Sequence, residues 1–203
     1  MVRREFIKNQ VLKVYRELPK ITFPMDAKKV FDLLCNCEYY SYQDFAEKNG
    51  FTVEAVSQTC GSKFGCTIFN RTSNRYLVLC NQSTENHNNR GRQRWTCSHE
   101  LGHILCNHYQ LSNTETLAYS GDKSSLDNDC EAEADLFASI FLSPFPLFKY
   151  LNVNSPVDAQ NILGLSCEAS VYTFDKYIRW KQNHFKKAWE NDIVRTYLCK
   201  TQG

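Results

Sequence analysis

No apolar run in this 203-residue chain approaches the ~20 residues that a membrane-spanning helix requires, which argues against an integral membrane protein. The opening Met1-Val2-Arg3-Arg4-Glu5-Phe6, followed by Lys8, Lys13, Arg16 and Glu17, lacks the apolar core of a secretory signal. The expected location is cytoplasmic. Net charge is only +2, from 24 basic and 22 acidic side chains, too little to argue for nucleic acid by itself. There is no internal repeat, no low-complexity tract and no Cys-x-x-Cys. The ten cysteines are scattered, and Cys35-Asn36-Cys37 has the wrong spacing for a structural zinc knuckle. Without an export signal they are expected to be mostly reduced thiols. What remains is ordinary for a globular protein: 42% hydrophobic and 23% charged residues, in a length that suits a single domain over residues 1–203.

Punctuation residues divide the chain. Residues 1–24 read as a mixed segment closed by Pro19 and Pro24. Asp26 is positioned to cap a helix over Ala27–Leu34, and Ser41 and Gly50 bracket a second over Tyr42–Asn49. Cys66–Phe69 and Tyr76–Cys80 read as two strands joined by the polar turn Asn70–Asn74. Gln82–Arg94 is a polar loop, and Trp95–His108 returns to helical spacing. After a polar connection at 109–128, Cys130–Leu142 forms a helix stopped by Ser143-Pro144-Phe145-Pro146. Ser155-Pro156 then opens a short helix, Ser166 a longer one to about His184, and Phe185–Cys199 a last.

The chemistry concentrates at His99-Glu100-Leu101-Gly102-His103. Residues at i and i+4 project from one helical face with Cβ atoms about 5–6 Å apart, close enough for two imidazoles to share one zinc ion. Glu100 falls about 100° further round, where a carboxylate can take a proton from an attacking water. A catalytic zinc needs a third protein ligand. The helix Cys130–Leu142 offers Glu131 and Asp135 on one face, as ligand and second-shell carboxylate, with Glu133 about 200° away. Amphipathicity does not choose cleanly among these faces. Gly102 costs about 1 kcal/mol relative to alanine inside a helix, so another backbone is expected to pass close by. His108 reads as a helix-end cation rather than a ligand, Cys97 and Cys106 as core, and His87 as a loop residue without a chemical role.

Arg94-Trp95-Thr96-Cys97-Ser98-His99-Glu100-Leu101-Gly102-His103, followed by Glu131-Ala132-Glu133-Ala134-Asp135-Leu136-Phe137-Ala138 and Phe141-Leu142-Ser143-Pro144, resembles the ImmA/IrrE metallopeptidases. That family typically reads Phe-Thr-x-Ala-His-Glu-Leu-Gly-His, then Glu-x-x-Ala-Asn/Asp-x-Phe-Ala and Leu-Met-Pro. The departures are Trp95 for Phe, Ser98 for Ala and Ser143 for Met, and none falls on an expected ligand. Leu163-Gly164-Leu165-Ser166 with Ala169 is similar to the helix-turn after the family's metal core, so the likeness runs over about residues 25–180. The resemblance implies a predominantly helical α+β fold: a minimal zincin-like core at 25–150 with a small antiparallel sheet, and a C-terminal helical extension at 151–203. It implies a gluzincin-like zinc site of His99, His103 and Glu131, with Glu100 as catalytic base and Asp135 orienting a ligand histidine. It further implies an endopeptidase acting on an XRE-type helix-turn-helix transcriptional repressor, with no membrane partner.

Tyr109, Tyr119, Tyr172 and His184 are unranked candidates for an oxyanion donor, and the strand Tyr76–Cys80 for pairing with an extended substrate. A competing reading is a non-catalytic regulatory or nucleic-acid-binding module that retains the zincin core; a partner-bound antitoxin-like or inhibitor protein is a third. The nucleic-acid reading draws on Arg90, Arg92 and Arg94 and on Lys176, Arg179, Lys181, Lys186 and Lys187 interleaved with Tyr177, Trp180, Phe185 and Trp189. Against direct nucleic-acid binding, the aromatics have core spacing, and Asp175, Glu190 and Asp192 dilute the charge.

Overall fold

Ile7, Val11, Val14 and Tyr15 recur at helical spacing and are buried along one face of α1 (Arg4–Glu17) in the computed structural model, which describes residues 1–85, 89–111, 116–117, 125–182 and 188–201. The segment expected to be mixed is thus a helix of 14 residues, ended by extended Leu18 before Pro19. Asp26 Oδ1 does accept from the Lys28 amide at 3.0 Å, but α2 (Lys28–Phe31) runs only four residues. β1 (Cys37–Ser41) follows, a strand that sequence periodicity does not reveal. Ser41 then closes the strand and caps α3 (Tyr42–Asn49), its Oγ accepting from the Asp44 amide at 2.9 Å. Gly50, at φ 68°, stops that helix in the left-handed conformation glycine adopts without strain. α4 (Val53–Cys60), also not anticipated, is capped by Thr52.

β2 (Gly65–Asn70) and β3 (Arg75–Cys80) form the expected hairpin, in register from Gly65↔Cys80 to Asn70↔Arg75. β1 pairs with β3 in parallel, so the sheet is mixed and not the antiparallel one expected. The physical reason is the connection: α3, α4 and β2 intervene between β1 and β3, a crossover long enough to return the chain in the same direction. The sheet order is β1–β3–β2–β4, where, among the described residues, β4 (Thr116–Leu117) pairs with Thr67 and Ile68. β3 is therefore flanked on both sides, and its backbone cannot receive an extended substrate. Among the described residues, the outer strands are β1 and the two-residue β4.

Alternation sorts the two sheet faces. Cys66 and Leu79 pack with Tyr42, Ala46, Val56 and Cys60 from α3 and α4. Phe69, Tyr76, Val78 and Cys80 face the main core with Cys97, Leu101 and Ile104 of α5 (Arg90–Leu105). Beneath α5 runs α7 (Ser125–Leu142), the short α6 (His108–Leu111) lying between them in sequence. α1 packs along α7, where the Tyr15 hydroxyl donates to Phe141 O at 2.8 Å. Each large apolar side chain buried this way stabilises the fold by about 1.5–3 kcal/mol. After a 3-10 turn at Phe145–Leu147 come α8 (Pro156–Leu163), α9 (Cys167–Gln182) and α10 (Ala188–Thr201). α8 and α9 enclose a satellite cluster of Phe148, Val153, Ala159 and Leu163, and α10 returns against α1 through Ile193. The fold is predominantly helical α+β, as expected.

Candidate metal centre

α5 begins earlier than its apolar spacing suggests, at Arg90, because Asn89 caps it by accepting from the Arg92 amide at 2.9 Å. His99 and His103 sit one turn apart, with ring centroids 4.7 Å from each other and Nε2 atoms separated by 3.0 Å. Opposite them α7 presents Glu131. Its Oε2 is 3.3 Å from His99 Nε2, and its Oε1 is 3.6 Å from His103 Nε2. One ligand atom from each of the three residues lies within 4.8 Å of the others. Among the alternatives the α7 sequence left open, the structure brings Glu131 to the histidine pair. Asp135 stands one turn further along, its Oδ1 2.9 Å from His99 Nδ1. Glu133 points elsewhere, as its helical position requires.

Gly102 explains how the two helices come so close. A Cβ there would lie 3.1 Å from Ala134 Cα, 3.1 Å from Phe137 Cβ and 3.2 Å from Ala134 O. The α7 backbone passes directly over the glycine, so the absence of a side chain sets the distance between the two ligand-bearing helices. The expected close approach is found.

Glu100 is buried and points towards the sheet, where its Oε2 accepts from Thr67 Oγ1 of β2 at 2.7 Å. Thr67 is fully buried, and its own carbonyl accepts from the Tyr109 hydroxyl at 3.2 Å. Tyr109 is thereby committed to β2 and does not serve as the oxyanion donor. Tyr172 lies on the exposed side of α9, while Tyr119, His184 and His87 fall outside the described residues.

His108 corrects its expected role. α5 ends at Leu105, and Asn107 at φ 60° turns the chain back in the left-handed region that asparagine tolerates. His108 thus lies fully buried behind His103, the two Nδ1 atoms 2.9 Å apart. Burial, the largest influence, outweighs neighbouring Glu133 and pushes its pKa down, the reverse of a helix-end cation. His108 Nε2 lies 3.0 Å from Glu133 Oε2. Glu133 in turn takes Arg3 in a bidentate pair, with Nε 3.0 Å from each carboxylate oxygen and Nη2 2.5 Å from Oε2, and accepts from the Arg3 amide at 2.7 Å. Burial disfavours the Glu133 charge, but these bonds and the one from His108 prevail and hold its pKa down at about 2. Neither Arg3 nor Thr67 stands out in the sequence. A five-residue gap between His103 and His108 across a left-handed-prone asparagine was the available signal for the latter.

The donor set suits a divalent cation. A carboxylate only accepts, so the His99 Nδ1–H donates to Asp135 and Nε2 is the nitrogen left to face the ion site. That nitrogen, His103 Nε2 and the Glu131 carboxylate converge on one point. Burial lowers the His99 pKa, but the hydrogen bonds from Asp135 and Glu131, together with the Glu100 and Glu131 charges, raise it to about 10. The site calls for positive charge. Two histidines and a glutamate with a further open position are a recurring catalytic zinc arrangement.

Some of the groups offered for the nucleic-acid reading make internal contacts, while Arg90, Lys176, Arg179 and Lys181 are exposed. Arg94 Nη1 donates to Gly164 O at 2.8 Å, Arg92 lies over the Phe64 ring, and Tyr177 and Trp180 pack with Phe145. Lys186, Lys187 and Phe185 fall outside the described residues. Cys97 and Cys106 are buried in the core as free thiols. Among the described residues, no helix is long and apolar enough to cross a membrane.

A sheet-backed helix with a His-Glu-x-x-His pair, met by a glutamate from an adjoining helix, defines a metallopeptidase-type centre. Residues 83–174 match the family model of the IrrE N-terminal-like domain, Peptidase_M78. The matched span runs from the approach to α5 into α9 and contains the whole candidate centre. Comparison with curated proteins gives no match.

Proposed function

We propose that this protein is a zinc-dependent endopeptidase whose substrate is an XRE-type helix-turn-helix repressor. The observation that carries the catalytic part is the convergence of His99 Nε2, His103 Nε2 and the Glu131 carboxylate beside a buried, strand-anchored Glu100. His99, His103 and Glu131 would hold the ion, with Asp135 orienting the His99 ring. A bound zinc ion supplies an acidified water and a Lewis acid for the scissile carbonyl. Glu100 takes the proton of the attacking water on its carboxylate and delivers it to the departing amine. Thr67 keeps that carboxylate in one rotamer by engaging Oε2. The repressor as substrate is supported by the family resemblance.

The test is incubation of the purified protein with the helix-turn-helix repressor of the neighbouring reading frame, with zinc and with chelator. Cleavage is expected only with metal. Glu100→Gln should retain the ion and lose about 10²–10⁴-fold in kcat/KM. Wild-type turnover by that zinc-loaded variant would overturn the mechanism, and an intact repressor would overturn the substrate.

A further inference from the structure

Behind the centre, four side chains, each from a different helix or its cap, form a continuous polar line: His103 of α5, His108 of α6, Glu133 of α7 and Arg3, the N-cap residue of α1. Three of the four are almost wholly buried, at 1% for His103, 0% for His108 and 3% for Glu133. Contacts of 2.9 Å and 3.0 Å link the two histidines and then His108 to Glu133. Arg3 closes the far end and also donates to Cys106 O, the backbone carbonyl at the end of α5, at 3.0 Å.

The chemistry of each member leaves one direction for the protons. Glu133, paired with a guanidinium, is an acceptor only, so His108 must carry its proton on Nε2. A neutral His108 then has a lone pair on Nδ1, and only an N–H on His103 Nδ1 satisfies it. His103 is left with its lone pair on Nε2, the nitrogen that faces His99 and Glu131. The opposite polarity would put the His103 proton on the nitrogen that has to bind the ion.

We infer that His108, Glu133 and Arg3 are a positioning relay: they set the tautomer and orientation of His103, so that the start of α1 controls how tightly the centre holds its metal. This inference rests on the metal-centre reading above. The residues touch neither substrate nor reacting atoms; they act through His103. Losing outer partners of this kind typically weakens metal binding about 10–100-fold.

The experiment has two readouts besides activity. Long-range ¹H–¹⁵N correlation spectra of the metal-free wild-type protein at neutral pH report which His103 nitrogen carries the proton. Zinc affinity, by competition with a chromogenic chelator, is measured for wild type, His108→Phe, His108→Gln and Arg3→Met. The proton is expected on Nδ1 in the wild type. His108→Phe should bind zinc about 10–100-fold more weakly, with Arg3→Met shifted in the same direction. His108→Gln can accept from His103 and donate to Glu133, and should stay within about threefold of wild type. A proton found on His103 Nε2 overturns the relay even if His108→Phe does not fold. So does zinc affinity in a folded His108→Phe equal to wild type. A wild type that binds no zinc overturns the metal-centre reading and the relay with it, which separates the two failures.

Discussion

At the scale of single residues, the candidate site is a set of groups whose second atoms are all spoken for. His99 reaches Asp135 through Nδ1, His103 reaches His108, and Glu100 accepts a hydrogen bond from Thr67. Fixing the far side of each group is what orients the near side. Thr67 affords the sharpest test, because it touches the proposed catalytic carboxylate without belonging to the proposed zinc ligands. A hydrogen bond to a charged group contributes about 1.5–3 kcal/mol. Thr67→Val, nearly isosteric, should therefore lower kcat at least about tenfold while KM and zinc content stay unchanged. Thr67→Ser, which keeps the hydroxyl, should restore most of the rate. Equal turnover by the valine variant would show that the bond does not orient the base.

Between elements, the decisive contact is α5 against α7. The candidate ligands sit on two helices, so the proposed centre exists only while their separation holds, and Gly102 sets that separation. Helix propensity alone predicts that Gly102→Ala gains about 1 kcal/mol. The added methyl meets Ala134 Cα at 3.1 Å and Ala134 O at 3.2 Å, backbone atoms in mid-helix that cannot swing aside. We expect the clash to prevail, with a net loss of about 1–3 kcal/mol in chemical denaturation and weaker zinc binding as α7 is pushed outward. A stability gain would mean that the helices can separate freely. Sequence legibility at this level is uneven. α3 and the β2–β3 hairpin are clear from caps, alternation and turn residues. β1 is not, because Cys37-Glu38-Tyr39-Tyr40-Ser41 carries no clean alternation and becomes a strand only by pairing with β3. α1 carried a readable stripe at Ile7, Val11 and Val14, but two prolines and many charges obscured it.

For the whole molecule, a metal between α5 and α7 would tie the sheet-facing half of the core to the half packed on α1 and α10. Zinc at a hundredfold excess over its Kd should stabilise the fold by about 2.7 kcal/mol. For a chain of this size that is roughly 5–10 °C in Tm, reversible with chelator. An unchanged midpoint would count against a native metal centre. Read alone, the sequence determined the His-Glu-x-x-His pair, the helix that bears it and the class of chemistry, because those depend on local spacing along one helix. Resemblance singled out Glu131 from its neighbours. Only the tertiary structure decided that Glu131 meets both histidines, that Glu100 is anchored to Thr67, that β3 is internal, and that His108, Glu133 and Arg3 stand in line behind His103. Those facts depend on where separate helices and strands cross, which side-chain periodicity within any one element does not encode.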